Sequence, residues 1–276
     1  MTATPVRPLS GWRVLVPRPT AGRSPAVVAL AAAGAEAVVV PLIETVPPED
    51  PTELDDALLA LESGWFGWLV VTSAAAVPVL VDRAQESAGS LPQLLADGHV
   101  RVAAIGPGTA RALREVGVEP DLVPQGRSTS RGLVEAFPAP TEPARVLFPR
   151  GDLAATTVVD GLQERGWDVA DVVAYRTVPA APPPADVREA WTDGTIRAAL
   201  LTSASTVREL ASRLGTPPTT TLMIGIGPST AAEAARLGLP LAGIATEQTM
   251  LGMVDALTRA VTTVLPAPIP SPEELR

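Results

Sequence analysis

The chain contains much of its own sequence twice. Residues 13–47, RVLVPRPTAGRSPAVVALAAAGAEAVVVPLIETVP, align without a gap on residues 145–179, RVLFPRGDLAATTVVDGLQERGWDVADVVAYRTVP. Identical pairs include Arg13 and Arg145, Pro17 and Pro149, Arg18 and Arg150, and Gly34 and Gly166. Both copies close on Thr-Val-Pro, at 45–47 and 177–179. A second pair follows, VVTSAAAVPVL from Val70 and LLTSASTVREL from Leu200. A third is AAIGPGTARALREVGVEP from Ala103 against IGIGPSTAAEAARLGLP from Ile224. Three segments recurring in the same order describe two copies of one α/β unit. A ligand shared by both copies is expected between them.

Composition removes whole classes of chemistry. The 276 residues suffice for two domains of ordinary size, and the net charge of −9 gives no basic footprint for nucleic acid. The longest apolar-looking stretch, 26–43, is interrupted by Gly34, Glu36 and Pro41. It reads as helix, turn and strand, so no membrane span is expected. The opening MTATPVRPLS has no apolar segment of the kind a secretory leader carries. There is no cysteine, which excludes disulfides and thiolate nucleophiles. All 21 basic residues are arginine, so lysine Schiff-base chemistry is excluded as well. The single histidine, His99, stands in ADGHVRV and reads as an exposed turn residue.

Short β-branched runs begin at Val14, Ala37, Trp68, Arg101, Asp121, Arg145, Asp171, Ala198, Leu222 and Leu241, with Ala/Leu-rich helical stretches between most of them. That alternation predicts α/β architecture, with parallel sheets covered by helices on both faces. Gly106-Pro107 and Gly117 punctuate one helix, and Gly227-Pro228 and Gly238 its counterpart. Pro78 should delay or kink the helix after Thr72-Ser73. Two organisations fit the repeat. Either each copy is one domain, or the strands ending in Thr-Val-Pro leave their sheets and pair as a hinge.

Ligands of open parallel sheets bind beyond the carboxyl ends of the strands. The turns there carry Arg18; Thr72, Ser73 and Ala74; Gly106 and Thr109; Arg150 and Gly151; Ser203 and Ala204; and Gly227, Ser229 and Thr230. Free N–H groups at helix starts, with Ser and Thr hydroxyls beside them, attract carboxylate or phosphate. One such turn is an ordinary helix cap. Two matched sets imply a polyanionic ligand. No dinucleotide or Walker fingerprint is present. Tyr175, the only tyrosine, stands opposite Ile43 in the alignment and breaks the internal symmetry. It reads either as an amphipathic strand residue or as an acid facing the ligand.

Taken in order, PRP near the N-terminus, VVTSAAAV, AAIGPGTARAL, VLFPRGD, VVAYRTVP, LLTSASTV and IGIGPSTAAEA resemble the uroporphyrinogen-III synthase family, over residues 11–257. The resemblance implies two similar α/β domains joined by a two-stranded β linker. The implied domains are 10–40 plus 179–264 and 48–171, with hinge strands 41–47 and 172–178 and a flexible Pro-rich tail at 265–276. It implies a cytoplasmic, cofactor-independent lyase, expected to be a monomer with neither nucleic-acid nor membrane partner. The reaction implied is cyclisation of the linear tetrapyrrole hydroxymethylbilane to uroporphyrinogen III, with loss of water and inversion of ring D in the interdomain cleft. Tyr175 matches the residue that assists hydroxyl loss, and the Ser, Thr and Gly turns match positions around the substrate. Arg18, Arg127, Arg150 and Arg176 would then have to offset the acidic net charge. One departure stands out. Many members continue with Gly-Arg after the Pro-Arg-Gly of VLFPRG, where this chain has Asp152-Leu153-Ala154-Ala155. The other classes open to such a chain are a non-catalytic, cleft-closing binder of a small polyanion and a regulator descended from the family.

Overall fold

The structure, a computed structural model, describes residues 7–18, 24–87, 89–126 and 128–264. The chain forms two compact units, Met1–Glu44 with Pro179–Arg276, and Thr45–Val178.

The first unit is built on a five-stranded sheet. Its strands are β1 (Arg13–Val16), β2 (Glu36–Val39), β8 (Ile196–Leu201), β9 (Leu222–Gly225) and β10 (Gly243–Ile244), in the order β10-β9-β8-β1-β2. Every pairing is parallel. Residues alternate between two cores. Val14, Val16, Ala198 and Leu200 face α1 (Pro25–Ala32) and α11 (Met250–Val264). Leu15, Ala199 and Leu201 face α8 (Ala185–Thr192), α9 (Ala204–Leu214) and α10 (Pro228–Arg236). Burial on both faces explains why these strands read as continuous apolar runs.

The second unit repeats the plan with β3 (Ile43–Val46), β4 (Trp68–Val71), β5 (Arg101–Ala104), β6 (Arg145–Gly151) and β7 (Asp168–Pro179), in the order β3-β7-β6-β4-β5. On one face lie α2 (Thr52–Glu62), α3 (Ala76–Ser87), α4 (Leu91–Asp97) and α5 (Pro107–Glu115). On the other lie α6 (Ser130–Ala136) and α7 (Thr157–Glu164), closing over Trp68, Phe137 and Trp167. Leu54, Ala57, Leu58 and Leu61 form the buried stripe of α2 at helical spacing. Truncating a fully buried leucine such as Leu58 to alanine would cost about 2–5 kcal/mol.

The matched glycines of the repeat do one job twice. Gly34 (φ +92°) turns α1 into β2, and Gly166 (φ +90°) turns α7 into β7. A Cβ at Gly34 would also stand 3.0 Å from the Cβ of Arg7. The strands that follow diverge. Residues 168–179 are one strand, whereas the equivalent 36–47 is split into β2 and β3. Pro41, which has no N–H to donate, stands at the break, and its counterpart is Val173. The division between the units falls inside β3 and at the end of β7.

One sequence expectation changes, one is met and one repeat segment was overlooked. The run at Asp121 is not a strand but an isolated bridge, Leu122 to Ala103. The helix after Thr72-Ser73 begins only at Ala76, with Pro78 in its first turn, while its counterpart α9 begins directly after Ser203. A fourth repeat segment also exists. TSRGLVEAF from Thr129 matches TMLGMVDAL from Thr249. The Thr129 hydroxyl accepts the Gly132 N–H at 3.1 Å, and Thr249 accepts that of Gly252 at 3.0 Å, so the two copies cap their helices identically.

Candidate functional site

In the second unit the carboxyl ends of β4, β6 and β7 converge on Tyr175. The β6–β7 register shifts between Arg150 and Gly151, whose partners are Val173 and Tyr175. Ala174 is the extra residue of this bulge, and such a bulge re-aims the side chain after it. The Tyr175 ring is consequently laid on Gly151, where a Cβ would come within 2.7 Å of Cε2 and 3.1 Å of the phenol oxygen. Only glycine leaves that space. Tyr175 is 8% exposed and belongs to the apolar core beneath α2 and α3. Burial pushes its pKa above the ordinary value of 10.0. The neighbouring Ser73 side chain pulls it down, and the nearby Asp152 carboxylate raises it. The phenol is therefore a protonated donor at neutral pH.

The flanking turns are specialised. The Ser73 hydroxyl oxygen accepts the Ala75 N–H at 3.2 Å, and the Ser73 carbonyl accepts the Ala76 N–H at 3.1 Å. Thr72 is half-buried and Ala74 exposed. Arg150 is not an open anion receptor. Its guanidinium forks onto Asp171, with Nη2 3.0 Å from Oδ2, and Nη1 donates to the Gly151 carbonyl at 3.1 Å. Asp152 is structural: its carboxylate accepts the Thr177 N–H at 2.9 Å, and its own N–H donates to the Tyr175 carbonyl at 3.0 Å. Arg176 pairs with Glu49 at 2.6 Å while its Nε is buried without a partner. Arg127 lies outside the described residues.

At the end of β5, extended Gly106 caps α5, with Pro107 next and Thr109 buried in the first turn. The N–H groups of Gly108 and Thr109 lack ladder partners because of their place in that turn. A Cβ on Gly106 would overlap the Ser128 hydroxyl, 1.9 Å away, so Ser128 is seated directly on the cap.

The first unit repeats this arrangement. Extended Gly227 caps α10, and the Gln248 amide sits on it, with Nε2 3.0 Å from where a Cβ would be. Ser229 is exposed, whereas Thr230 is fully buried and its hydroxyl has no partner. Ser203 caps α9 by accepting the Thr206 N–H at 3.1 Å, and Ala204 follows, half-buried. Thr206, itself buried, links Thr202 at 3.2 Å and Ser203 at 2.9 Å through its hydroxyl. Arg18 is exposed after β1, its N–H closing on the Val16 carbonyl at 2.9 Å. Tyr175, Gly151 and Ser73 thus form one cluster. Gly106 and Thr109 form another with Ser128, and Gly227, Ser229 and Thr230 a third with Gln248. Ser128, Thr206 and Gln248 were missed from the sequence. The fourth repeat segment was the signal for two of them, because Ser128 and Gln248 each precede its opening threonine.

This architecture, a duplicated parallel α/β unit with helix-start turns at the carboxyl ends of both sheets, defines a class of ligand-handling proteins. Residues 24–255 match the family HEM4, uroporphyrinogen-III synthase HemD. A uroporphyrinogen-III synthase of Synechococcus elongatus is 32% identical over 76% of this chain and 78% of its own length. The fold is shared with a mutant uroporphyrinogen III synthase of Thermus thermophilus, at a TM-score of 0.61 and 21% identity over 91% of this chain and 99% of that one. It is shared also with uroporphyrinogen-III synthetase of Helicobacter pylori, at 0.54 and 17% over 90% and 99%. The chain belongs to the uroporphyrinogen-III synthase family. Among the described residues no helix is long and apolar enough to cross a membrane.

Proposed function

We propose that the chain is a lyase that cyclises hydroxymethylbilane to uroporphyrinogen III. Family membership supports the reaction. The observation that carries the mechanism is a buried Tyr175, protonated at neutral pH, at the carboxyl end of a sheet whose strands lead into helix starts. The substrate supplies its own electrons: a pyrrole nitrogen expels the terminal hydroxyl, and Tyr175 gives that hydroxyl the proton with which it leaves as water. A ring carbon then attacks the resulting azafulvene to form a spiro intermediate, whose rearrangement inverts ring D. The proton released on rearomatisation restores the phenol. The protein's work is to hold one conformer and stabilise developing charge.

The substrate carboxylates are divided between the turns at Thr72-Ser73-Ala74 and Gly106–Thr109 and those at Arg18, Ser203-Ala204 and Gly227–Thr230. Backbone N–H groups carry most of that binding. Arg150 contributes by fixing Gly151 rather than by meeting an anion, since Asp171 already occupies its fork. We place the protein as a cytoplasmic monomer. The test is to supply purified protein with hydroxymethylbilane and identify the product isomer. Uroporphyrinogen III is the expected product. Isomer I alone, which forms without catalysis, would overturn the reading.

A further inference from the structure

Arg176 follows Tyr175 near the end of β7. The β6 ladder stops at Gly151, whose partner is Tyr175, so Arg176 stands one residue beyond it, at the carboxyl end of the sheet. A guanidinium meets a carboxylate best side-on, with Nε–H and an Nη2–H donating in parallel. Arg150 uses that fork on Asp171, through Nε at 2.5 Å and Nη2 at 3.0 Å. Arg176 does not. The carboxylate contact it makes runs from Nη1 to Glu49 at 2.6 Å, outside the fork. Its Nε is buried without a partner, and no described residue accepts from its Nη2. A buried donor left unpaired costs the fold its lost hydration, and such a group calls for an acceptor.

Glu49 does not supply it. Glu49 follows β3 after Pro47 and Pro48, and its side chain is 82% exposed against 37% for Arg176. An ion pair so open to water is weakly held. What the buried edge of the guanidinium lacks is an oxyanion with two acceptor oxygens in one plane. We propose that Arg176 is a substrate-binding residue: its Nε/Nη2 fork receives one carboxylate of the linear tetrapyrrole, while Glu49 steadies the guanidinium through Nη1. The proposal rests on the substrate given above and adds one charged side chain to the backbone donors. Two parallel bonds fix a direction, which a single N–H does not. The contact therefore orients the substrate beside Tyr175 as well as holding it.

A plain structural role, in which Arg176 and Glu49 only clip β7 to the segment after β3, predicts a different sign. Arg176→Gln and Glu49→Gln break the same clip and would impair the protein alike. For a substrate-binding Arg176, Arg176→Gln removes the fork, and KM for hydroxymethylbilane should rise about 10–100-fold, the weight of a charge-assisted contact, with kcat within about threefold. Arg176→Lys keeps the charge without the fork and should recover only part of that loss. Glu49→Gln leaves the guanidinium charge uncompensated, so KM should fall about two- to threefold. The same order of variants should appear in the Kd of uroporphyrin III, the oxidised form of the product, read by quenching of tryptophan fluorescence. A KM for Arg176→Gln within about twofold of the parent overturns the proposal, as does a loss confined to kcat. A rise in KM in Glu49→Gln also overturns it and returns the pair to a clip. Glu49 is exposed, so this variant is not expected to disturb folding. The porphyrin titration involves no turnover, so it decides the fork even if the parent forms isomer I alone, the result that rejects the function.

Discussion

Gly151 and Tyr175 face each other across β6 and β7 so closely that a Cβ on the glycine would stand 2.7 Å from the ring. The glycine thus fixes where the proposed acid, Tyr175, lies. Gly151→Ala should force the ring off β6 and into water. We expect kcat to fall by about tenfold or more, within the range for displaced acid catalysis. The tyrosinate midpoint should move back toward the ordinary 10.0. Steady-state kinetics and the absorbance titration check the two effects separately.

Removing only the phenol oxygen is the cleaner deletion. Tyr175→Phe keeps the packing and should lower kcat by about 10²-fold, near the low end for general acid–base catalysis. A turnover within about twofold of the parent would reduce Tyr175 to a packing residue.

The buried, unpartnered hydroxyl of Thr230 costs the unliganded protein stability. Thr230→Val keeps the shape and removes the orphan group, so denaturant unfolding should show a gain of about 1–3 kcal/mol. If substrate satisfies that hydroxyl, KM should rise several-fold with kcat little changed.

In the first unit Glu233 is held at a pKa of about 2 against an ordinary 4.5, chiefly by its hydrogen bonds from Arg236 and also by Arg208. Its folded pKa is depressed, so its contribution is complete above about 4.5 and is lost as pH falls toward 2. Glu233→Gln should therefore unfold at lower denaturant than the parent at pH 7, and the difference should shrink by pH 3. High salt should also reduce it, because Arg236 is well exposed.

His99 is exposed at the turn after α4 with φ of +51°, the one described non-glycine residue in the left-handed region. His99→Gly should stabilise the fold by about 1 kcal/mol and leave turnover unchanged. Thermal or denaturant unfolding alongside the synthase assay checks both.

The sequence reading found what periodicity and duplication encode. Gly34 and Gly166 announced matched helix-to-strand turns, and Gly106-Pro107 and Gly227-Pro228 announced matched helix starts, because each residue type has few other uses. It misread places where partners far along the chain decide. The run at Asp121 has β-branched character, yet it makes only one bridge. Arg150 looked like an anion receptor because nothing local revealed Asp171 across the sheet. Ser128 and Gln248 are unremarkable polar residues until the loops that carry them are laid on the two glycine caps. The Ala174 bulge, which aims Tyr175, has no signature in composition.

The break at Pro41 also sets a timetable. Residues 45–178 form one unit from a single uninterrupted stretch, so it can assemble as soon as that stretch has left the ribosome. β1 and β2 are made earlier, but the other edge of β1 pairs with β8, which begins at Ile196. The apolar β1 must therefore wait, with one edge open, for a partner more than half the chain away. During synthesis it is this earlier segment, rather than the unit that carries Tyr175, that is exposed to misassociation and chaperone capture.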